Sequence, residues 1–314
     1  GYGEEIMPSS KKMEQKLWQA VKETGSCLEW RTVSNGGKGY LVMSFPEGEI
    51  IKEVAGFQNF AVSLSPDATK ITFFQARSSH TIEALVNPMD LMVEDINTGT
   101  RQLLGLIARG TSLLAWSPDG QKLALIAEEA STNLHVKWPK ISFFDNRPSK
   151  LFIFSVSDKS LEEFDIFHHG DLALCTDQIW SPDGDEIIYT ILHNKKPPLD
   201  AEIRVLSLAT KTTRSLGRGD FPTWSPTGNK IIFRGKDENY YLINPDGSGK
   251  TLLLKPNPKE LYDLISPILW SPDGRWLLVA KGSSPGTVDL FVMDPETKVM
   301  IKIESQTAGS PSSW

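Results

Sequence analysis

The apolar positions of this chain fall in short runs, not in long helical stripes. "KLALIA" (Lys122–Ala127) and "KIIFRG" (Lys230–Gly235) are typical, each bounded by polar residues. Consecutive apolar residues make both faces of an extended strand apolar, as a strand sandwiched between two neighbouring sheets requires. Each run is followed by a second strand and a polar turn, as in "DLMVEDINTGT", "KLFIFSVSDKS", "AEIRVLSLATKT", "YYLINPDGSGK" and "DLFVMDPETK", and then by a short outer strand such as "RQLLGL", "TRSLG", "TLLLK" or "VMIKI".

The run itself always follows the same turn. "WSPDGQKLALIA" begins at Trp116, "WSPDGDEIIYTI" at Trp180, "WSPTGNKIIFRG" at Trp224 and "WSPDGRWLLVAK" at Trp270, with a weaker copy, "LSPDATKITFFQ", at Leu64. Pro presets one dihedral of the turn, Asp caps it locally and Gly accepts a positive φ. Successive copies are 52, 64, 44 and 46 residues apart, and Trp314 lies another 44 beyond Trp270. Four strands per unit of this length predict an all-β fold, a six-bladed β-propeller with four antiparallel strands per blade.

The first unit, "CLEWRTVSNGGKGYLVMSFPEGEIIKEV" (residues 27–54), supplies a second, third and fourth strand but lacks the turn-bearing first. The ending "SPSSW" supplies it, so the C-terminal strand is expected to complete the first blade and close the ring, removing a sheet edge. A chain cut mid-repeat is the other reading of that ending. Residues 27–314 form the propeller on this reading. Residues 1–26 are a helical segment in which Met13, Leu17, Ala20 and Val21 share a face, Ser10 caps the start and Gly25 ends it. That helix is short and is expected to dock on the propeller or to meet a partner.

The "WSPDG" copies and the hairpins after them resemble the repeats of the TolB-type six-bladed β-propeller family over residues 27–314. The resemblance implies a non-catalytic binding role and an extracytoplasmic (periplasmic or secreted) location. TolB-type proteins carry a separate N-terminal α/β domain, whereas only about 25 residues precede the propeller here.

Composition narrows the partners. A net charge of −6 and no basic run argue against nucleic acid, and no stretch of eighteen apolar residues is present to span a bilayer as a helix. Cys27 and Cys175 are too few for a disulfide framework, and a six-bladed ring would set them too far apart to bridge. A monomer without cofactor is expected.

Antiparallel connectivity places every Ser-Pro-Asp-Gly turn on one face and the blade-to-blade links, with the second-to-third-strand loops, on the other. Three loops there are long: "ARSSHTIEALVNP", "EEASTNLHVKWPKISFFDNRPS" and "LHNKKPPLD". Long loops in compact domains are commonly functional. Links lead into innermost strands, which nominates Arg109, His168, His169, Asp177, Arg218, Asp220, Tyr262 and Asp263 around the axial channel. His135, Lys137 and Trp138 of the longest loop join them, the tryptophan as a recognition anchor. The bland reading of each is a polar residue satisfying backbone groups or facing water.

Three other signals are weak. "DGSGKT" (Asp246–Thr251) lacks the upstream glycine and strand-to-helix context of a phosphate loop and reads as a hairpin turn. "HHGD" (His168–Asp171) has no third metal ligand at recognisable spacing. Neither HExxH nor GxSxG occurs. The functional expectation is a binding protein presenting the loop-rich face to a protein, peptide or glycan. Two alternatives stand: a metal-dependent hydrolase or lyase at the channel mouth using Asp177, Asp220 and Asp263, and an accessory propeller of a larger peptidase or sensor.

Overall fold

The computed structural model describes residues 25–32, 38–45, 50–55, 61–77, 88–139, 148–164, 178–193, 200–256, 265–271, 273–284, 287–303 and 311–313. The proposed N-terminal helix lies outside them, and strand structure begins at Gly25, the residue expected to end that helix.

All described regular structure is β, and every pairing is antiparallel. The first sheet holds β1 (Gly25–Thr32), β2 (Lys38–Phe45) and β3 (Ile50–Ala55). The second holds β4 (Val62–Leu64), β5 (Lys70–Ala76), β6 (Met89–Asp95) and β7 (Arg101–Arg109). Next come β8 (Leu113–Trp116), β9 (Lys122–Ala127), β10 (Glu129–Ser131), β11 (Lys150–Ser155) and β12 (Leu161–Phe164). The fourth sheet is β13 (Glu186–Leu192), β14 (Ala201–Ser207) and β15 (Thr213–Arg218). The fifth is β16 (Asp220–Trp224), β17 (Ile231–Arg234), β18 (Tyr240–Ile243) and β19 (Thr251–Leu254), and the sixth β20 (Ile265–Trp270), β21 (Leu277–Ser284), β22 (Thr287–Met293) and β23 (Met300–Ile303). The last strand, β24 (Pro311–Ser313), returns to pair with β1, giving the order β24-β1-β2-β3.

Two sheets depart from four strands each. The second has five, in the order β10-β7-β6-β5-β4, because β10 leaves the third sheet and pairs with β7. In the fourth, the tryptophan-bearing segment contributes a single bridge, Trp180 to Ile187, among the described residues.

The second to sixth sheets pack against one another in chain order. Phe74 and Leu91 of the second meet Leu125 and Phe152 of the third. Ile126 and Leu151 join Ile187 and Ile203 of the fourth and Ile231 and Phe233 of the fifth. Ile232 and Leu253 meet Ile268 and Leu277 of the sixth. Strands apolar on both faces are thereby buried on both, as β9 shows: Leu123 through Ala127 are all buried.

The repeated turn is a closed hydrogen-bond circuit. Ser65, Ser117, Ser181 and Ser271 each donate their hydroxyl to the Asp two residues on, at 2.5–2.6 Å, and accept the backbone N–H five residues on at 2.9 Å. The same carboxylate accepts a backbone N–H two residues further on at 3.0–3.1 Å. Gly120, Gly184, Gly228 and Gly274 take φ between +67° and +77°, and Ala68 is forced to +53° in the weak copy. The indole N–H of buried Trp180 donates to the Ala115 carbonyl at 3.1 Å, tying the fourth sheet to the third.

Candidate binding face

Contacts between sheets sort the connections into two groups. Neighbouring repeat turns touch: a Cβ on Gly228 would lie 3.3 Å from Pro182, and one on Gly274 2.8 Å from Thr227. Links and long loops likewise meet each other. Arg218, the last residue of β15, pairs with Asp200 at the end of a long loop at 2.9 Å. Arg77, opening another, donates to the Leu134 carbonyl of the next at 3.0 Å and grips Asp90.

The largest loop is built on Arg109. The segment 107–116 runs antiparallel to 123–131, bent in the middle: Leu113 faces Ile126 in the third sheet, and Arg109 faces Glu129 across β7 and β10. At the bend Gly110 has φ +62°, and a Cβ there would lie 2.5 Å from Glu128 Cγ, so a larger residue would be strained and would have to displace the Glu128 side chain. Arg109 is buried, 1% exposed, and pairs with Glu129. It donates Nη1–H to the Pro139 carbonyl at 2.8 Å, and its guanidinium lies 5.2 Å from the Trp138 ring centroid. A planar fork that makes a carboxylate pair, a carbonyl bond and an aromatic stack at once is a role lysine could not fill.

Arg109 is therefore an interior anchor, not the channel-ringing side chain its position in a link predicts. The reason is β10, which covers it. Arg109 and Trp138, nominated separately, are in contact. His135 and Lys137 on the same loop are exposed, with Trp138 half-buried between anchor and solvent. An Asn133 turn holds this tip: the His135 N–H donates to Asn133 Oδ1 at 3.1 Å.

Asp220 is also spent internally. Arg234 Nε and Nη2 donate to its two carboxylate oxygens at 2.8 and 2.6 Å, which pushes the arginine pKa up, and the outer nitrogen reaches Glu238 at 3.2 Å. Between Asp220 and Thr223 the strand bulges, and Phe221 takes φ +49° with its ring 5.0 Å from the Arg234 guanidinium. The other non-glycine residues with positive φ among the described residues lie in turns between strands; Phe221 lies inside a strand. A bulge re-aims its side chain at a cost in backbone strain. Arg218 is exposed beside this site.

On the fourth sheet, Glu202 accepts from His193 at 2.7 Å and Arg204 at 3.1 Å. Burial raises the Glu202 pKa, but hydrogen bonds from Ser215, His193 and Arg204 overcome this and hold it at about 2.

Sequence reasoning missed Gln178. Its side-chain N–H donates to the Trp270 carbonyl and its Oε1 accepts the Trp270 N–H, both at 2.8 Å. Its own carbonyl accepts the Trp224 N–H at 2.9 Å. The signal was present: two residues before the repeat tryptophan or its Leu64 equivalent, the other copies carry Val62, Leu114, Pro222 and Ile268.

His168, His169, Asp177, Tyr262 and Asp263 lie outside the described residues. Among the described residues no three His, Cys, Asp or Glu side chains gather as a metal site. "DGSGKT" is the β18–β19 turn, closed by Asp246 accepting from the Ser248 N–H at 2.9 Å and hydroxyl at 2.7 Å. Among the described residues no helix is long and apolar enough to cross a membrane.

No model of a known protein family matches the chain, and no curated protein matches its sequence. Solved structures do match. TolB from Acinetobacter baumannii superposes with a TM-score of 0.65 at 15% identity, over 96% of this chain and 70% of that one. The chain has a TolB-like β-propeller fold. The β-propeller domain of the Trilobed protease from Pyrococcus furiosus matches this TolB-like chain at TM-score 0.56 and 15% identity, over 89% and 85% of the two chains. Oligogalacturonate lyase from Vibrio parahaemolyticus matches at 0.52 and 13% identity, over 89% of each. Identities this low show architecture, and one architecture hosts binding proteins and enzymes alike. For the TolB-like propeller in hand, function rests on its own side chains.

Proposed function

We propose that this protein is a non-catalytic binding protein: a six-bladed propeller, closed by β24 in the first blade, that presents its link-and-loop face to a protein, peptide or glycan outside the cytoplasm. The observation that carries the reading is how the charged link residues are used. Arg109 holds the 128–139 loop through Glu129 and Pro139, Asp220 is occupied by Arg234, and Arg218 ties down Asp200. Pairings of this kind stiffen loops, and stiff loops lose less entropy when they bind. His135, Lys137 and half of Trp138 stand outside that network. The hydrolase or lyase reading would require Asp220 to give up both oxygens held by Arg234. The segment before β1 remains separate on this reading, and the propeller is a monomer.

The test compares the two faces. His135→Glu with Lys137→Glu on the loop face is set against Gln121→Glu with Lys122→Glu on the turn face, each immobilised and exposed to an extract of the source cells. Capture lost only by the loop-face pair supports the proposal; equal capture by both overturns it. Stoichiometric metal in the purified protein, with a melting midpoint that falls in chelator, would instead favour the channel-mouth enzyme.

A further inference from the structure

The backbone edges around Gln178 set what this face can take. Ser225 N–H bonds inward to the Lys230 carbonyl and Ser271 N–H to that of Trp276. Backbone groups of consecutive strand residues point to opposite sides, so those of Trp224 and Trp270 leave the free edges of β16 and β20. Each is an end strand of its sheet. In a propeller the first strand of every blade lines the axis, and its free edge faces the channel.

Gln178 satisfies both edges. Its side-chain amide replaces a neighbouring strand for Trp270, donating one bond and accepting another at 2.8 Å, while its backbone carbonyl takes the Trp224 N–H. A residue of the fourth sheet thus reaches the sixth past the fifth, 92 positions along the chain. Bonds this short leave no water between the edges. On the second and third sheets the corresponding contact is weaker: Trp116 N–H to Ser63 Oγ at 3.4 Å. Gln178 is half-buried.

We propose that Gln178 is a plug. It closes the axis on the side of the fourth, fifth and sixth sheets at the level of the repeat tryptophans, so the mouth on the link face is a blind cup. Its ligand is then a chain end or a projecting side group, not a polymer threaded through the ring. This deepens the binding reading above and rests on the six-bladed ring. It also counts against a propeller that passes substrate along its axis.

Amide hydrogen exchange at single-residue resolution tests the plug without any ligand. In the wild-type protein the Trp224 and Trp270 amides are expected to exchange slowly and Trp116 faster. In Gln178→Ala, Trp270 should speed up by about tenfold or more, the worth of one lost hydrogen bond, while Trp224, bonded to the retained backbone carbonyl, stays slow. Gln178→Glu keeps only the acceptor and should fall between. If all three tryptophan amides of the wild type exchange alike and fast, the axis is an open bore and the proposal fails. It fails equally if Trp270 is indifferent to the alanine change. Should the variants fold poorly, the wild-type ranking alone decides. Failure here leaves the loop-face capture result standing, and loss of that result leaves the plug standing.

Discussion

On the turn face, Ser65, Ser117, Ser181 and Ser271 repeat one circuit with their aspartates, to within 0.1 Å from copy to copy. On the link face the described contacts vary more: Arg109 reaches Glu129 and Trp138, Arg218 meets Asp200, and Arg77 and Arg234 fork onto Asp90 and Asp220, the latter under a strained Phe221. Each of these four turn-face circuits closes on partners within five residues. The link face depends on partners 13 to 57 residues away. Repetition marks scaffold here, and departure from it marks the surface proposed for recognition.

The sharpest way to break this contrast is Arg109→Ala. Removing a buried cation strands Glu129 and frees the loop, and it should cost about 3 kcal/mol, read from denaturant unfolding. Asp220→Ala should follow at roughly 2 kcal/mol, since it removes two charge-assisted bonds to Arg234; an unchanged metal content would separate this structural role from a ligand role. On the turn face, Gly274→Ala should cost about 1–2 kcal/mol because a side chain is forced into the left-handed region. The reverse change in the weak copy, Ala68→Gly, should stabilise by about 0.5 kcal/mol once the added chain entropy is set against the relief.

Phe221 sharpens the comparison further. Glycine relieves its backbone and alanine does not, so Phe221→Gly should melt above Phe221→Ala although it removes more of the side chain.

The smallest effect is on pH. Serine hydroxyls lower the pKa of Asp67, Asp119 and Asp183 in the repeat turns, and Ser155 with Ser160 holds Asp158 at about 2. A carboxylate with a folded pKa below its ordinary value of 3.8 leaves the unfolded chain holding more protons, so stability rises with pH across that interval. The contribution is complete above that value and disappears as pH falls through the folded pKa. A melting midpoint that drops between about pH 4 and pH 2, with a shallower drop in Asp119→Asn, is the expected outcome.

Much of the fold was legible, because what specifies it is local. Ser, Asp and Gly at fixed offsets close a turn with no outside help, and strands apolar on both faces announce neighbours on both sides. The same reasoning placed links and long loops together, as the Arg218–Asp200 and Arg77–Leu134 contacts reflect. It misjudged Arg109 because nothing in the order of residues signals that Glu129 and Pro139 will fold over it. It overlooked Gln178, whose polarity at an otherwise apolar repeat position was visible but whose partner, Trp270, lies two sheets away.

By itself, then, the sequence determined the unit: its turn chemistry, its strand pattern and its recurrence, all written in contacts within a few residues. Only the tertiary structure decided which charges are buried, which loops are pinned and how the inner edges are capped. Those outcomes depend on the distance between groups far apart in the chain, and a buried charge or an unpaired backbone edge is too costly to leave unmatched wherever packing happens to bring it.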